Sequence, residues 1–256
     1  MFDLASKIKD AALGKTWLFF VGQTGYIIKN KKGELLAVDL YLTDSLEKAE
    51  GHDGFKRLLA KLITPEEIAF DYVIATHPHY DHLDIDAVPG YLTHEKTKLF
   101  ASVNCEQEIK NNGLTNSNVE YFKPGDFRQA GDYKIYFINC DHGTGAPDAF
   151  GLIIEADGKR ILMVGDTCLR LDRVSEYTSK GPIDIMIAPI NGAYGNLNEA
   201  ECAKLANEVK PKLTIPAHYG MFARHGGDPG LFKNIMLETY NNKNYCFMTQ
   251  GEQMEI

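Results

Sequence analysis

Three imidazoles and two carboxylates crowd into nine residues, Thr76-His77-Pro78-His79-Tyr80-Asp81-His82-Leu83-Asp84, in a chain of 256 residues that holds only eight histidines. The run follows directly on the apolar stretch Tyr72-Val73-Ile74-Ala75, which reads as a strand. In an extended segment residues two apart point the same way, so His77 and His79 can hold one cation between them. The chain must then turn, and Asp81 and His82 beyond the turn can face a second cation or orient a water on the first. Neutral imidazole is the commonest metal ligand among side chains. The pattern predicts a metal site at a strand's end.

The same placement recurs. A strand over 133–139 delivers Cys140-Asp141-His142-Gly143, one over 160–164 ends in Gly165-Asp166-Thr167, and one over 211–217 presents His218. With His77, His79, Asp81 and His82 these make seven candidate ligands, five imidazoles and two carboxylates, enough donors for two cations. A single histidine is more commonly a packed structural residue; repetition at strand ends is what argues for convergence on one sheet edge. Asp39, ending the strand over 34–40, is placed to orient a metal-bound histidine through its second ring nitrogen. His225, seven residues past His218 in Arg224-His225-Gly226-Gly227, is placed to return over the site. His52 reads as part of a surface loop and His94 as structural.

The elements that must position these residues are mostly strands. The spacing of Leu4, Ile8, Ala11 and Ala12 predicts a short helix over 3–13. Strands over 17–21 and 25–28, joined by Gly22-Gln23-Thr24-Gly25, and a hairpin at 30–33 into 34–40 predict the start of an antiparallel sheet. Residues 46–70 read as partly helical, with Thr64-Pro65-Glu66-Glu67 as a helix start. A helix or turn is expected over 84–94 and strands over 98–101, 119–122, 151–156 and 183–190, the last apolar enough to be buried on both faces. Asp157-Gly158 predicts a tight hairpin turn. Asn198 and Glu201 predict a capped helix with Cys202 in the core, followed by a helix over 231–240 and a closing strand over 245–248.

Composition bounds the rest. Apolar content of 44% and charged content of 24% are those of an ordinary globular chain, and no linker, low-complexity tract or repeat divides it, so one domain over 1–256 is expected. The net charge of −8, with no long basic run, argues against nucleic acid as the habitual partner. No run of eighteen apolar residues and no export signal is visible, so no membrane partner is expected. Five widely spaced cysteines without a CxxC pattern suit reduced thiols, and the expected compartment is the cytoplasm.

The chain resembles the metallo-β-lactamase superfamily through Thr76–Asp84 in the motif above, then His142, Gly165-Asp166-Thr167 and Pro216-Ala217-His218. The resemblance runs over nearly the whole chain. It is closer to the lactonase-like branch that contains L-ascorbate-6-phosphate lactonase, through Val21-Gly22-Gln23-Thr24-Gly25-Tyr26, the run from Asp39 to Ser45, and Pro189-Ile190-Asn191-Gly192-Ala193-Tyr194-Gly195-Asn196-Leu197-Asn198. The resemblance implies an α/β (α+β) fold, a four-layer αββα sandwich with metals at one sheet edge. It implies His77, His79 and His142 on the first metal, Asp81, His82 and His218 on the second, Asp166 bridging, and Asp39 behind them. It also hints at a homo-oligomer.

The chemistry expected of such a site is hydrolysis by hydroxide formed on one or two divalent cations, zinc or manganese foremost and iron third. Asp81 would position that hydroxide and relay its proton, making Asp81 and His225 the candidate catalytic residues. The expected substrate is a small molecule, a lactone of a sugar acid with or without a phosphate group, or another small ester. Asn191, Tyr194, Tyr219 and Arg224 are the candidate substrate contacts, and Arg170, Arg173 and Arg224 the available forks for a phosphate. The competing readings are a phosphodiesterase or nuclease, against which the acidity counts, and a non-catalytic metalloprotein, which has no use for a bridging carboxylate.

Overall fold

The computed structural model describes residues 3–256. Two sheets carry the architecture. The first has seven strands, β1 (Trp17–Gly22), β2 (Gly25–Lys29), β3 (Leu35–Val38), β4 (Tyr72–Ala75), β5 (Lys98–Ser102), β6 (Val119–Phe122) and, beside β1, the C-terminal β13 (Gln253–Glu255). The second has six, β7 (Phe127–Ala130), β8 (Tyr133–Asn139), β9 (Phe150–Ala156), β10 (Lys159–Met163), β11 (Ile185–Pro189) and β12 (Leu213–Ala217). Helices α1 (Leu4–Asp10), α2 (Ser45–Glu50), α3 (His52–Phe55), α4 (Val88–Leu92), α5 (Glu106–Asn111), α6 (Val174–Tyr177), α7 (Glu199–Val209) and α8 (Pro229–Glu238) complete the chain.

Three apolar layers hold these elements together. Along β1, Leu18 and Phe20 face the second sheet while Phe19 and Val21 face α1, α4 and α5, the alternation that a strand's period of two imposes. The inter-sheet layer joins Ile28, Val38, Ile74 and Phe100 to Ile135, Phe137, Leu152 and Ile187. Within it Phe122 stacks on Phe137 at 4.3 Å between ring centroids, with Phe150 edge-on to Phe137 at 4.8 Å. Each such buried ring contributes about 1.5–3 kcal/mol. Beyond the second sheet, Leu162, Met186 and Ala188 pack on Cys202, Leu205 and Val209 of α7 and Phe232 and Met236 of α8. The order of layers is helix, sheet, sheet, helix, as expected.

Strand direction is what builds the site. β3, β4, β5 and β6 run parallel, as do β10, β11 and β12. β1 reaches β3 through the antiparallel β2, and β8 reaches β10 through the antiparallel β9, so β1 and β8 also point the same way as those sets. The C-terminal ends of β1, β3, β4, β8, β10, β11 and β12 therefore lie on one edge of the sandwich, where open parallel sheets gather ligands.

Several local expectations hold. Asp157 and Gly158 both take positive φ, 52° and 83°, in the β9–β10 turn. Asn198 and Glu201 form a reciprocal capping box on α7, and Cys202 is fully buried. Others do not. Thr64-Pro65-Glu66-Glu67 is a turn closed by Glu67 N–H to Thr64 O at 3.2 Å, and helix in the 46–70 stretch is confined to α2 and the kinked α3. The expected strand over 245–248 makes only one bridge to β12, through Thr214 N–H to Asn244 O and Cys246 N–H to Thr214 O, both 2.9 Å. Pro216 supplies the reason, since it has no N–H with which to extend that ladder. The closing strand is instead β13, and β7, which sequence reading passed over, pairs with β8.

Candidate metal centre

The motif after β4 turns sharply, His82 N–H and Leu83 N–H both bonding to His79 O, at 2.9 and 2.7 Å. That turn separates the two pairs of candidate ligands. His77 and His79 meet His142 from the end of β8: His79 Nδ1 lies 3.0 Å from His77 Nε2 and 3.1 Å from His142 Nε2. On the other side, His82 Nε2 lies 3.4 Å from His218 Nε2 and 3.5 Å from Asp81 Oδ2, and His218 Nε2 lies 3.4 Å from Asp81 Oδ2. Asp166 Oδ2, at the end of β10, is 3.3 Å from His82 Nε2 and 3.0 Å from His218 Nε2, and a carboxylate oxygen of Asp166 also groups with His77 and His82. The seven residues thus converge as two clusters with Asp166 between them.

The donor set fits cations. Tetrahedral ligation at about 2.1 Å places donor atoms roughly 3.4 Å apart, close to every separation given above. Asp166 Oδ1 is buried without any hydrogen-bond partner, and a bound cation is one group that would satisfy such an atom in a polar cluster. Burial holds the imidazoles of His77, His79 and His142 below the ordinary histidine range, so their lone pairs are free. In the second cluster burial opposes protonation of His82 and His218, but Asp166 and Asp81 overcome it, raising His82 well above its usual value and His218 to about 9. Burial also opposes ionisation of Asp81 and Asp166, yet the same histidines hold both well below the usual carboxylate range.

Supporting residues fix these groups. Asp39 Oδ2 lies 2.8 Å from His82 Nδ1, and its carboxylate accepts from Thr76 N–H at 2.9 Å and Thr76 Oγ1 at 2.8 Å, which puts Asp39 directly behind a candidate ligand as expected. Asn196 Nδ2 donates to Asp166 Oδ2 at 2.8 Å. Asp84, the last residue of the motif, stands apart from both clusters and accepts from Leu42 N–H, Thr43 N–H and Ser45 Oγ, each at 2.7 Å. It ties down the loop after β3.

Backbone strain gathers here. Gln23, Asp39, Tyr194 and His218 are non-glycine residues with φ of 57°, 47°, 56° and 62°. Each such residue costs about 1–3 kcal/mol and persists only where surrounding contacts hold it. At Gly165 (φ 73°) a side chain would meet Phe150 O at 3.0 Å and Cys140 Sγ at 3.1 Å, so glycine is needed just before Asp166.

A cavity of about 330 Å³ opens onto the cluster, lined by His79, Asp81, His142, Asp166, His218 and His225 at its base and Leu46, Glu50, Phe55, Pro78, Tyr80 and Tyr194 around it. His225 and Tyr194 are thus where sequence reading placed them. Three other expected substrate contacts do not line it. Asn191 is buried under Gly227, Tyr219 packs into the outer apolar layer with α8, and Arg224 lies outside, bonded to Asp53 at 3.4 Å over the Phe55 ring. Arg170 pairs with Asp141 and Asp172. Each of these loops turns its polar tip outward or into packing once its glycines have reversed the chain.

One residue was passed over. Gln23, fully buried in the β1–β2 turn, has its Nε2 2.9 Å from Asp81 Oδ2 and 2.7 Å from His225 Nδ1. No metal-ligand spacing marks it; its signals in the sequence are its place in Val21-Gly22-Gln23-Thr24-Gly25-Tyr26 and a polar side chain at the end of an apolar strand.

A β-lactamase superfamily domain matches residues 53–219. The chain is 27% identical over 265 residues to a UPF0173 metal-dependent hydrolase of Polynucleobacter asymbioticus, covering 96% of this chain and 88% of that one. In structure it is similar to a metallo hydrolase of Ignicoccus hospitalis, with a TM-score of 0.71 at 21% identity over 94% and 98% of the two chains. A possible metal-dependent hydrolase of Veillonella parvula gives 0.76 at 15% identity over 94% and 100%. Among the described residues no helix is long and apolar enough to cross a membrane. The protein belongs to the β-lactamase superfamily, as a metal-dependent hydrolase of the metallo-β-lactamase fold.

Proposed function

We propose that this hydrolase opens a lactone or cleaves a small carbonyl ester that bears no phosphate group. The observation that carries this reading is the make-up of the cavity. Its volume of about 330 Å³ is at the lower end of small-molecule sites. Its walls are Leu46, Phe55, Pro78, Tyr80 and Tyr194, its charged wall residue is Glu50, and neither lysine nor arginine lines it. A phosphorylated sugar acid would find no basic fork there. The lactonase-like motifs support the lactone, and the cavity argues for an uncharged one.

His77, His79 and His142 would hold one divalent cation and Asp81, His82 and His218 a second, with Asp166 shared; so imidazole-rich a set suits zinc, manganese or iron. A bound cation supplies a water ionised near neutral pH and polarises the attacked carbonyl. Asp81, held strongly anionic by His82 and His218, is a good acceptor for orienting the attacking water and a weak base. His225, whose burial lowers it to about 4, is a neutral imidazole at the cavity wall and donates a hydrogen bond to the developing oxyanion. Phe55 and Tyr194 stand edge-on to His225 at 6.0 and 5.7 Å and flank its ring.

The test compares hydrolysis of an uncharged lactone, a phosphorylated sugar lactone and a generic phosphodiester on zinc- and manganese-loaded protein, with Asp81→Ala as control. Turnover of the uncharged lactone, lost in the control, is expected. Preference for the phosphorylated lactone would overturn the charge argument, and phosphodiester turnover alone would make the protein a phosphodiesterase.

A further inference from the structure

Gln23 holds a position that nothing in the hydrolytic chemistry requires of a turn residue. It is fully buried, its φ of 57° is strained for a glutamine, and its backbone carbonyl accepts from His218 N–H at 2.9 Å, so the β1–β2 turn is bonded to the end of β12. Its side chain bridges two groups from distant parts of the chain. Its Nε2 lies 2.9 Å from Asp81 Oδ2 and 2.7 Å from His225 Nδ1, and farther, at 3.2 and 3.4 Å, from the two ring nitrogens of His218, so its two hydrogens go to the two nearer acceptors. The amide orientation follows from these partners, because the opposite one would set a carbonyl oxygen against a carboxylate oxygen. Gln23 Oε1 is then buried without a partner. A group that leaves one of its own atoms unsatisfied to make two hydrogen bonds is held there by those bonds.

We propose that Gln23 is a positioning residue that sets the tautomer of His225 and the orientation of Asp81 together. A neutral imidazole that accepts at Nδ1 carries its proton on Nε2. With Nδ1 taken by Gln23, Nε2–H is the polar group His225 offers to the cavity it lines. Stacking on His218, at 4.7 Å between centroids and 25° between planes, and the edges of Phe55, Phe222 and Tyr194 hold the ring plane. Gln23 then decides which nitrogen carries the hydrogen. The same amide keeps one Asp81 oxygen in a fixed direction.

The role of the tautomer in turnover rests on the hydrolytic reading; the tautomer itself does not. The test is therefore read twice on zinc-loaded protein. Long-range nitrogen–proton correlation spectra of the imidazoles should show His225 as the Nε2–H tautomer, and Gln23→Met, which keeps the volume and removes both donors, should turn it into a mixture or into Nδ1–H. Zinc content should be unchanged. If Gln23→Met does not accumulate folded, Gln23→Asn, whose amide is too short to span both partners, gives the same readout. On whichever lactone or ester the protein turns over, kcat should fall about tenfold to a hundredfold with KM held within about twofold. The loss should vanish on a His225→Ala background down to the share carried by Asp81. A pure Nε2–H tautomer in both variants, or an Nδ1–H tautomer in the unaltered protein, overturns the proposal. Loss of zinc in both variants overturns it too, by making Gln23 a support of the metal site. Absence of turnover on every ester with the tautomer shift intact would sink the lactone and ester reading and leave the positioning role of Gln23 standing.

Discussion

The two ligand clusters share Asp166 and differ in almost everything else. His77, His79 and His142 form a group without a carboxylate of its own, partly open to the cavity, in which burial leaves every imidazole neutral. Asp81, His82 and His218 are all buried and charge-dense, with Asp39 and Asp166 against the same rings. There the carboxylates draw protons onto His82 and His218 when no cation is present. The first group can accept a cation by donating lone pairs it already has. The second must exchange protons for it. Two sites of similar ligand count therefore should load differently.

Removing what the clusters share should erase the difference. Asp166→Ala takes the common carboxylate away from both and should lower hydrolysis by more than about a hundredfold, since losing even a residue behind a metal ligand costs about tenfold to a hundredfold. Metal analysis should show both clusters depleted; depletion of only one would mean that Asp166 serves one cluster alone. Removing a support from one cluster should sharpen the contrast. Asp39→Asn keeps the shape but weakens the bond that orients His82, and should cost about tenfold to a hundredfold in metal affinity at the second cluster, leaving the first intact.

Acidity offers a milder probe. His218 sits at about 9 in the metal-free fold against an ordinary 6.5, so protonation stabilises that fold fully below about pH 6.5 and the contribution is lost as pH rises through 9. A cation competes with that proton. Its affinity at the second cluster should rise by about tenfold per pH unit from pH 6.5 toward 9 for the His218 proton alone, with a flatter profile at the first cluster. Titration calorimetry in two buffers of different ionisation heat would count the protons released, and equal release at both clusters would contradict the contrast. The smallest effect is expected from Arg224→Ala. Its pair with Asp53 is solvent-exposed, outside both clusters, and turnover and metal content should stay within about twofold.

Much of this architecture is legible in residue types and spacing because those carry local constraints. HxHxDH after an apolar strand demands a turn between two ligand pairs, and the structure makes that turn with two bonds to His79 O. The capping box at Asn198 and Glu201 and the primed turn at Asp157-Gly158 are equally local. The substrate side was not legible. Asn191, Tyr219 and Arg224 stand near ligands in sequence, but reversals at Gly192, Gly220 and Gly226 decide where those side chains point. No pattern within a few residues reports that outcome.

By itself the sequence determined which residues are chemically able to bind a cation and which strands carry them, because ligand chemistry and strand period are properties of short segments; the superfamily entered as a resemblance of those motifs. Only the tertiary structure decided that Asn191, Tyr219 and Arg224 stay out of the cavity and that no basic residue lines it. It alone brought Gln23 from the first hairpin to within hydrogen-bonding distance of Asp81 and His225, some 58 and 202 residues away along the chain. Contacts of that kind follow from how two sheets pack, and packing is a property of the whole chain.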